Sequence, residues 1–449
     1  MMKSYPSYKD SGVEWIGEIP RGWDVSPLKW YSELVTDGSH FSPTSTDEGK
    51  YYITVSDVTE KRNINFNGCK KISDESFENL KRNGCQPTKG DVLITKDGTI
   101  GRGLVVDNND FVILSSLGLI RTKKERVKPN YLLHFLLSGL CIDQMYSHIR
   151  GSGITRLTIT LISNLLCVLP PLPEQQQISN YLDQKTKQID DLIEKTEQKI
   201  ELLKEKRTSL INHCVTKGLD PDVEMKDSGV EWIGEIPKEW VTRKFKYVIS
   251  NKLDNGIFKK KVDFGEGVRL VNVGDLFNEG NVISQHTLDR VKVDKSEQLK
   301  YKVHDNDIFF VRSSLKLEGI GVSSIIGKLN EPTVFECHII RSIPKSSLVH
   351  PYFLKYSLNS YLTRHRIISI SQTVTMTTIS QDHIKDLEIV CPPLPEQQQI
   401  VKHLDKETQK IDTLIEKENK RIELLKEYRQ SLISEVVTGK IDVRDEVLQ

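Results

Sequence analysis

The stretch Lys9-Asp-Ser-Gly-Val-Glu-Trp-Ile-Gly-Glu-Ile-Pro20 recurs letter for letter from Lys226 to Pro237. A second block, Pro170-Pro-Leu-Pro-Glu-Gln-Gln-Gln-Ile178, recurs from Pro392 to Ile400. A period of about 220 residues is far longer than the roughly 20 to 50 residues of solenoid repeats. Each copy is therefore predicted to be a whole domain followed by a connector. The chain is predicted to consist of two copies of this unit.

The composition is that of a water-soluble globular protein. Hydrophobic residues make up 37% of the 449 residues, charged residues 28%, and the formal net charge is +1. No run approaches the roughly 18 apolar residues of a membrane span, and the first residues lack the apolar core of a signal peptide. We therefore expect a cytoplasmic protein with no membrane partner.

A long helix is predicted after each Pro-Pro-Leu-Pro block, because glycine and proline are absent there for roughly 40 residues, or about 60 Å of helix. Apolar residues recur in both copies at alternating spacings of four and three, which indicates helix-to-helix packing. We expect the two helices to pack on each other; the alternative is that each packs on its own domain. The predicted seam contains Leu182, Ile189, Ile193, Ile200, Leu203 and Leu210 in the first copy, and Leu404, Ile411, Ile415, Ile422, Leu425 and Leu432 in the second.

The order of the repeats predicts a closed ring of elements that has been cut open. The Asp-Ser-Gly-Val-Glu-Trp segment follows the end of the first helix, and its other copy would follow the second helix if the termini were joined. We therefore expect pseudo-two-fold symmetry with neighbouring termini. The predicted segments are a domain at 1–169, a helix at 170–221, a domain at 222–391 and a helix at 392–449.

The two globular segments share a skeleton but little identity. Lys89–Gly98 corresponds to Asp305–Ser314, each a turn followed by a β-rich run, and Leu119-Ile-Arg121 is matched to Ile339-Ile-Arg341. Short strands mixed with helices predict an α+β fold. A kept skeleton with varied surfaces is typical of two recognition domains that bind different targets.

The chemistry of a catalytic or metal site is missing. The seven cysteines are scattered without a CxxC pair, which argues against disulfides and thiolate zinc sites. The pair Cys337-His338 lies in an apolar run from Val334 to Ile340 and is predicted to be part of a buried strand with no catalytic role. Phosphate-binding and dinucleotide-binding glycine motifs are also absent. We therefore predict that the chain is not an enzyme.

The duplicated Pro-Pro-Leu-Pro-Glu-Gln-Gln-Gln-Ile blocks, the heptad helices and the Asp-Ser-Gly-Val-Glu-Trp-Ile-Gly segments together resemble the specificity subunits of type I restriction-modification systems. The resemblance covers nearly the whole chain. It implies two target recognition domains that each read one half of a split DNA site, separated by an antiparallel coiled coil that sets the spacing and docks two methyltransferase subunits. Restriction subunits would join through that complex. S-adenosylmethionine, ATP and magnesium would be bound by these partners and not by this chain.

The resemblance and the supply of cations and polar side chains also suggest DNA-contacting residues. Thr36–Pro43 resembles an Asp-Gly-x-His turn of these domains, and Gly151–Arg156 resembles a polar loop before the last strand, whereas the second domain departs at both places. Each candidate could equally be a solvated surface residue. They are His40, Lys96, Arg102, Ser152, Thr155 and Arg156 in the first domain, and Lys259, Lys260, Arg312, Lys316, Gln372 and Thr373 in the second.

Two other functions are compatible with the sequence. The chain could be a self-contained DNA methyltransferase or nuclease of an unfamiliar kind, in which case it would bind S-adenosylmethionine or cut DNA alone. It could instead be a coiled-coil scaffold, which would show no sequence-specific retention on duplex DNA at physiological salt.

Overall fold

The chain divides into two compact units, Met1–Gln198 with Glu418–Gln449, and Lys199–Lys417. Each unit contains one globular domain and a part of each long helix. The four consecutive segments predicted from the sequence follow chain order, whereas the compact units cut both helices, so those segment boundaries stay a prediction. The computed structural model describes residues 3–147, 156–250, 252–373 and 376–446.

The first unit mixes short strands with helices. Four of its strands form an antiparallel sheet in the order β4, β10, β7, β8, and a smaller sheet has the order β6, β5, β9. The strands are β1 (Tyr8–Asp10), β2 (Glu18–Pro20), β3 (Asp24–Pro27), β4 (Ser32–Asp37), β5 (Lys50–Ile53), β6 (Lys70–Ile72), β7 (Val92–Thr95), β8 (Gly103–Val105), β9 (Phe111–Ile113), β10 (Leu117–Thr122) and β11 (Leu166–Leu169). The helices are α1 (Asp74–Arg82), α2 (Pro129–Leu136), α3 (Gly139–Ser147), α4 (Ile159–Ser163) and α5 (Leu172–Lys217), the last of which continues into the second unit.

The second unit repeats this plan. Its main sheet has the order β15, β23, β19, β21, β17, and its smaller sheet has the order β18, β16, β22. The strands are β12 (Met225–Asp227), β13 (Glu235–Pro237), β14 (Val241–Lys244), β15 (Asp254–Asn255), β16 (Phe264–Val271), β17 (Val282–Ile283), β18 (Asp289–Val291), β19 (Ile308–Val311), β20 (Ser313–Ser314), β21 (Ser323–Ile326), β22 (Thr333–Phe335), β23 (Ile339–Ser342), β24 (Gln372–Thr373), β25 (Thr377–Thr378) and β26 (Glu388–Cys391). The helices are α6 (Lys295–Lys300), α7 (Pro351–Leu358), α8 (Tyr361–Ser369), α9 (Gln381–Lys385) and α10 (Leu394–Val437). The predicted α+β class is confirmed.

The central strands β7 and β19 are buried along their whole length, as their apolar runs predict. The register beside them corrects one sequence match. Leu117 lies opposite Thr95 and Ile339 lies opposite Val311, so Leu117 and Ile339 hold equivalent places and the match of Leu119 to Ile339 is wrong by two residues. A slip of two residues keeps every side chain on its face of the sheet, so the hydrophobic pattern alone did not reveal it.

The repeated proline-rich block joins each domain to its long helix. Glu174 accepts a hydrogen bond from the indole of Trp23 at 3.1 Å, and Glu396 accepts one from Trp240 at 2.8 Å. Gln175 and Gln397 then accept from the backbone N–H at the start of α2 and α7, at 2.9 and 2.7 Å. The backbone N–H groups at a helix start would be unpaired without these glutamines. Because the same two contacts recur in both copies, they explain why the Glu-Gln pair is kept.

The long helices, α5 with 46 residues and α10 with 44, pack together. Asp190 of α5 pairs with Arg429 at 2.9 Å, and Arg207 of α5 pairs with Asp412 at 2.8 Å, so the two helices run antiparallel. The two ion pairs are the same contact made once in each unit. Among the predicted seam residues, Leu182, Ile189, Ile200, Leu404, Ile411 and Leu432 are buried, whereas Ile193, Leu203, Leu210, Ile415, Ile422 and Leu425 are half-buried.

The chain ends meet in the first unit, which confirms the prediction of neighbouring termini. The backbone N–H of Asp442 donates to the carbonyl of Lys3 at 2.8 Å, and the Lys3 ammonium forms an ion pair with Asp445. The hydroxyl of Tyr8 donates to the carbonyl of Gly439 at 3.1 Å. The segment after α10 thus reaches the first hairpin.

One local expectation was wrong. Cys337 and His338 lie in a turn between β22 and β23, half-buried and exposed respectively, and not inside a buried strand. The apolar run that contains them is two strands with a tight connection, which a run of apolar residues does not distinguish from one strand. Among the residues that the structure describes, no helix is both long and apolar enough to cross a membrane.

Candidate nucleic-acid interface

In the first domain, a buried ion cluster lies where two strands end. β4 and β7 both pair antiparallel with β10, so their carboxyl ends lie at the same edge. Lys96 follows β7 and is only 4% exposed. Its ammonium lies 3.3 Å from the carboxylate of Asp37, the last residue of β4, and 3.5 Å from that of Asp97. Lys96 is therefore placed to organise this edge and not to contact a phosphate directly.

Two predicted DNA contacts surround this cluster at the surface. His40 lies 3.3 Å from Asp37 and its side chain is 78% exposed. Arg156 lies 3.3 Å from Asp97, its side chain is 69% exposed, and its backbone bridges that of Asp97. The carboxylates that neutralise Lys96 thus also orient two exposed hydrogen-bond donors of the kind that bind base edges and phosphates.

Arg102 is not part of this cluster. The guanidinium of Arg102 donates to Glu60 at 3.1 Å and lines a cavity of about 530 Å³ together with Arg62 and Asp190. Ser152 and Thr155 lie outside the described residues. The structure therefore brings together His40, Lys96 and Arg156 from the predicted set.

Arg312 holds in the second domain the place that Lys96 holds in the first. The backbone N–H of Lys96 donates to Ser116, and that of Arg312 donates to His338, in each case just after the central strand. The Arg312 side chain is exposed and makes no hydrogen bond or ion pair with the residues that the structure describes. A guanidinium of this kind can bind guanine or phosphate through two parallel hydrogen bonds.

The difference arises from the neighbouring acids. Asp97 is replaced by Ser313, and the place of Asp37 is taken by Asn255. The equivalence of Asp37 and Asn255 follows from the glycine that comes directly after each of them. A Cβ on Gly38 would lie 2.1 Å from the carbonyl of Ile113, and a Cβ on Gly256 would lie 2.0 Å from that of Phe335. Only glycine fits this close approach, so it anchors the alignment of both domains.

Four candidates of the second domain lie on or beside one small sheet. β20, β25 and β24 pair in that order, so Arg312, just before β20, lies on the same small sheet as Gln372 of β24. Lys316 follows β20, and both Lys316 and Gln372 are exposed. Thr373 pairs with Thr377 in this sheet. The ring of His338 lies 3.0 Å from the hydroxyl of Ser313 beside it.

An apolar cavity of about 620 Å³ adjoins this sheet. Leu315 is 84% exposed and Phe277 is 53% exposed. Residues that are far apart in the sequence line this cavity, so no local sequence pattern could have indicated it. Its lining includes Phe277, Leu315, Met376, Lys316 and His338.

Lys259 and Lys260 lie apart from that sheet. Lys259 forms a largely buried ion pair with Glu297 at 2.7 Å, so its charge is already compensated. Lys260 is exposed and precedes a short helical turn, where its backbone N–H donates to Asp263 at 3.0 Å. Of this pair, only the Lys260 ammonium is exposed and forms no ion pair with the part of the chain that the structure describes.

One group within the described ranges has the spacing for a metal ion, namely Glu336, Cys337 and His338. Burial, together with the nearby Glu336 carboxylate, raises the pKa of the Cys337 thiol, which disfavours the thiolate that a metal would require. The contact of His338 with Ser313 also engages one ring nitrogen. This arrangement is better suited to hydrogen bonding than to metal ligation.

Comparison with known proteins places the chain in one family. Residues 20–202 and 237–424 each match the family described as "Type I restriction modification DNA specificity domain". The chain is 26% identical over 360 residues to the type I restriction enzyme MjaVIII specificity subunit of Methanocaldococcus jannaschii, which covers 80% of each protein. It is 22% identical over 439 residues to the EcoKI specificity subunit of Escherichia coli, covering 95% of this chain and 90% of that one.

The fold has solved counterparts. A chain from a structural study of complex assembly and conformational transition of the type I R-M system superimposes with a TM-score of 0.72 at 16% identity, covering 94% of this chain and 99% of that one. At this identity the likeness concerns the fold alone. Both matched stretches begin beside a repeated hairpin and end within a long helix, which agrees with the internal duplication.

Proposed function

Because the chain belongs to the type I restriction-modification DNA specificity family, we propose that each of its domains reads one half of an asymmetric, bipartite site in double-stranded DNA. The chain is the specificity subunit of such a system and the catalytic steps belong to other subunits. Unequal domains on an equal framework would produce an asymmetric site. Phosphate contacts would hold the register, while a few side chains would reach base edges.

One observation carries this proposal. The two domains hold the residue after the central strand in the same place, but surround it with different side chains: Lys96 lies between two carboxylates, whereas Arg312 is exposed beside Ser313 and His338. The framework at this edge is kept, including the close approach at Gly38 and Gly256, while the side chains that it presents differ. The variation is expected if the edge reads different bases.

The long helices would act as the ruler between the half-sites. Two domains on a stiff antiparallel pair can enter the grooves on one face of a duplex when their targets lie about one turn, near 34 Å, apart. Inserting four residues after Ile189 would add about 6 Å and rotate one end. We expect such a variant to lose the parental site or to shift its spacer; unchanged spacing would exclude the helices as the ruler.

The partners follow from the family. We propose that two methyltransferase subunits bind this chain and that restriction subunits join through them. These subunits would carry S-adenosylmethionine, ATP and magnesium, whereas this chain would bind no cofactor. The duplicated connector offers two similar docking places, which supports a stoichiometry of two.

Single-molecule methylation mapping tests the proposal. The chain is co-expressed with its methyltransferase subunit in a host that lacks other adenine and cytosine methylation. We expect one motif with two unequal parts and a fixed spacer, and no methylation when either protein is expressed alone. A single uninterrupted motif, or methylation by this chain alone, would contradict the proposal and favour a self-contained enzyme.

A further inference from the structure

The second domain carries a group of exposed apolar side chains beside Arg312. Leu315, Phe277 and Met376 are all exposed, and all three line the cavity of about 620 Å³. We call these three residues the apolar patch. Single exposed apolar residues are common on protein surfaces, whereas a group of them that lines one cavity usually marks a surface that binds something. The apolar patch therefore predicts a ligand with an apolar group.

Leu315 lies in a loop that is longer in the second domain than in the first. The backbone N–H of the last residue in the central strand donates to the carbonyl of Arg102 in the first domain and to that of Val322 in the second, at 2.9 Å in both cases. Arg102 and Val322 are therefore equivalent. Five residues separate Lys96 from Arg102. By contrast, nine residues separate Arg312 from Val322, so the loop that carries Leu315 is not part of the shared framework.

The equivalent place in the first domain is polar. Arg102 forms an ion pair with Glu60 at 3.1 Å, whereas Val322 lines the apolar cavity. Phe277 in turn takes the place of Thr59. Each of these two residues follows, two positions later, an aspartate that accepts a hydrogen bond from the backbone N–H three residues before it, at 2.7 Å in both domains. The second domain thus replaces a charged pair and a hydroxyl with hydrocarbon on the same framework.

Cations lie beside the apolar patch. The side chain of Arg312 is exposed just before β20, and Lys316, which is also exposed, lines the cavity next to Leu315. Among the residues that the structure describes, the cavity lining contains one acid, Glu318. The surroundings of the apolar patch are therefore more basic than acidic, which suits a ligand that combines an apolar group with negative charge.

We propose that the apolar patch binds the 5-methyl group of a thymine in the half-site of the second domain, and that Leu315 is the residue that selects it. This inference rests on the proposed function and names a base that the second domain reads. Duplex DNA presents phosphates to the nearby cations, and the thymine methyl is the apolar group on the major-groove edges of the four bases. A deoxyribose also offers carbon atoms, but it carries no sequence information and would not account for a loop that differs between the domains.

Replacing thymine with uracil in the DNA tests the proposal, because uracil lacks only the 5-methyl group and pairs with adenine in the same way. The chain is assembled with its methyltransferase subunits, and affinity is measured at one salt concentration for duplexes in which each thymine of the site is replaced in turn. In the half-site that Arg312→Ala alters, we expect at least one replacement to weaken binding about fourfold, the factor for burying one methyl-sized group.

Leu315→Ala and Leu299→Ala form a matched pair of variants. Both leucines are exposed in the second unit, at 84% and 77%, but only Leu315 lines the cavity. Leu315→Ala should bind the thymine and uracil duplexes with equal affinity at the responsive position, whereas Leu299→Ala should keep the parental difference. Both side chains are so exposed that neither change should disturb the fold.

Equal affinity for thymine and uracil at every position of that half-site would overturn the methyl assignment, as would a half-site without thymine on either strand. A uracil effect that persists in Leu315→Ala would also overturn it. The same holds for a loss of affinity in Leu315→Ala that is equal for every duplex, which is expected if the leucine inserts between base pairs or contacts another subunit. A complex with no preference for a bipartite site would overturn the proposed function itself.

Discussion

Lys96 and Arg312 show how one framework yields two different surfaces. Both follow the central buried strand, and both donate their backbone N–H to the residue that precedes the neighbouring strand. Lys96 is buried between two carboxylates, whereas Arg312 is exposed because serine and asparagine replace those acids. The framework thus determines the position of the cation. The side chains beside the cation determine whether it forms buried ion pairs or is exposed and available to DNA.

The largest effect that would test this comparison is on stability. Lys96→Ala removes the buried cation between the carboxylates of Asp37 and Asp97, and Arg156 compensates only Asp97, so the free energy of unfolding should fall by about 3 kcal/mol. Arg312→Ala removes an exposed side chain and should change it by less than about 0.5 kcal/mol. Chemical denaturation of both variants measures the contrast. Equal losses of stability in the two variants would mean that Lys96 contributes no more to the fold than Arg312 does.

A second contrast lies where each domain meets its long helix, and it responds to pH. His134 of α2 is buried, and its ring lies 2.8 Å from Asp183 of α5. Burial lowers the pKa of His134 from 6.5 to about 4, against the attraction of Asp183. In the second unit Lys355 takes this place, and burial lowers the pKa of its ammonium from 10.5 to about 8.

These shifts predict that mild acid weakens the first unit more than the second at this joint, where burial also lowers the pKa of His350 at the start of α7. Below about pH 6.5 the unfolded chain protonates His134, whereas the folded chain does so only near pH 4, so this group removes about 3 kcal/mol as the pH falls through that window. Lys355 is protonated in both states there and contributes no pH dependence. Hydrogen exchange in α2 and α7 at pH 7 and pH 5, corrected for intrinsic rates, measures the contrast. His134→Leu should abolish the acid sensitivity of α2; a response that persists would have another origin.

The third expected effect concerns specificity. Arg312→Ala should reduce discrimination at one base position of one half-site by about 1 to 3 kcal/mol and leave the other half-site unchanged. Arg312→Lys keeps the charge but loses the paired donors, so it should restore affinity more than discrimination. Binding of the complex to the parental site and to single-base variants at one salt concentration provides the measurement. Weakening that is uniform across all sequences would assign Arg312 to a phosphate instead.

The smallest expected effect concerns the paired contacts of the helices. Asp190 and Arg429 are less exposed than Asp412 and Arg207, so water screens the first ion pair less. Arg429→Ala should lower stability by about 1 kcal/mol and Arg207→Ala by about half as much. Denaturation at low and at high salt separates the charge contribution, which should shrink with added salt in both variants. A larger loss of stability in Arg207→Ala than in Arg429→Ala would contradict the expectation that the less exposed ion pair contributes more.

Much of the architecture was predictable because its signals are local. The heptad spacing, the absence of glycine and proline and the letter-for-letter repeats indicated two long helices, two like domains and adjoining termini. The site was predictable only in part. His40, Lys96 and Arg156 were named, but the acids that join them were not, although Asp37 stands in the same turn as His40. The cavity beside Lys316 was missed because its lining comes from distant parts of the chain.

The duplication, the seam of the helices and the family can be read from the sequence, since each depends on residue spacing or identity along the chain. Which cations are buried and which are exposed depends on the folded structure. Asp37 and Lys96 are distant in sequence and meet because β4 and β7 both pair with β10. A charge is hidden or presented according to what the fold packs against it, and that neighbour is seldom adjacent in the chain.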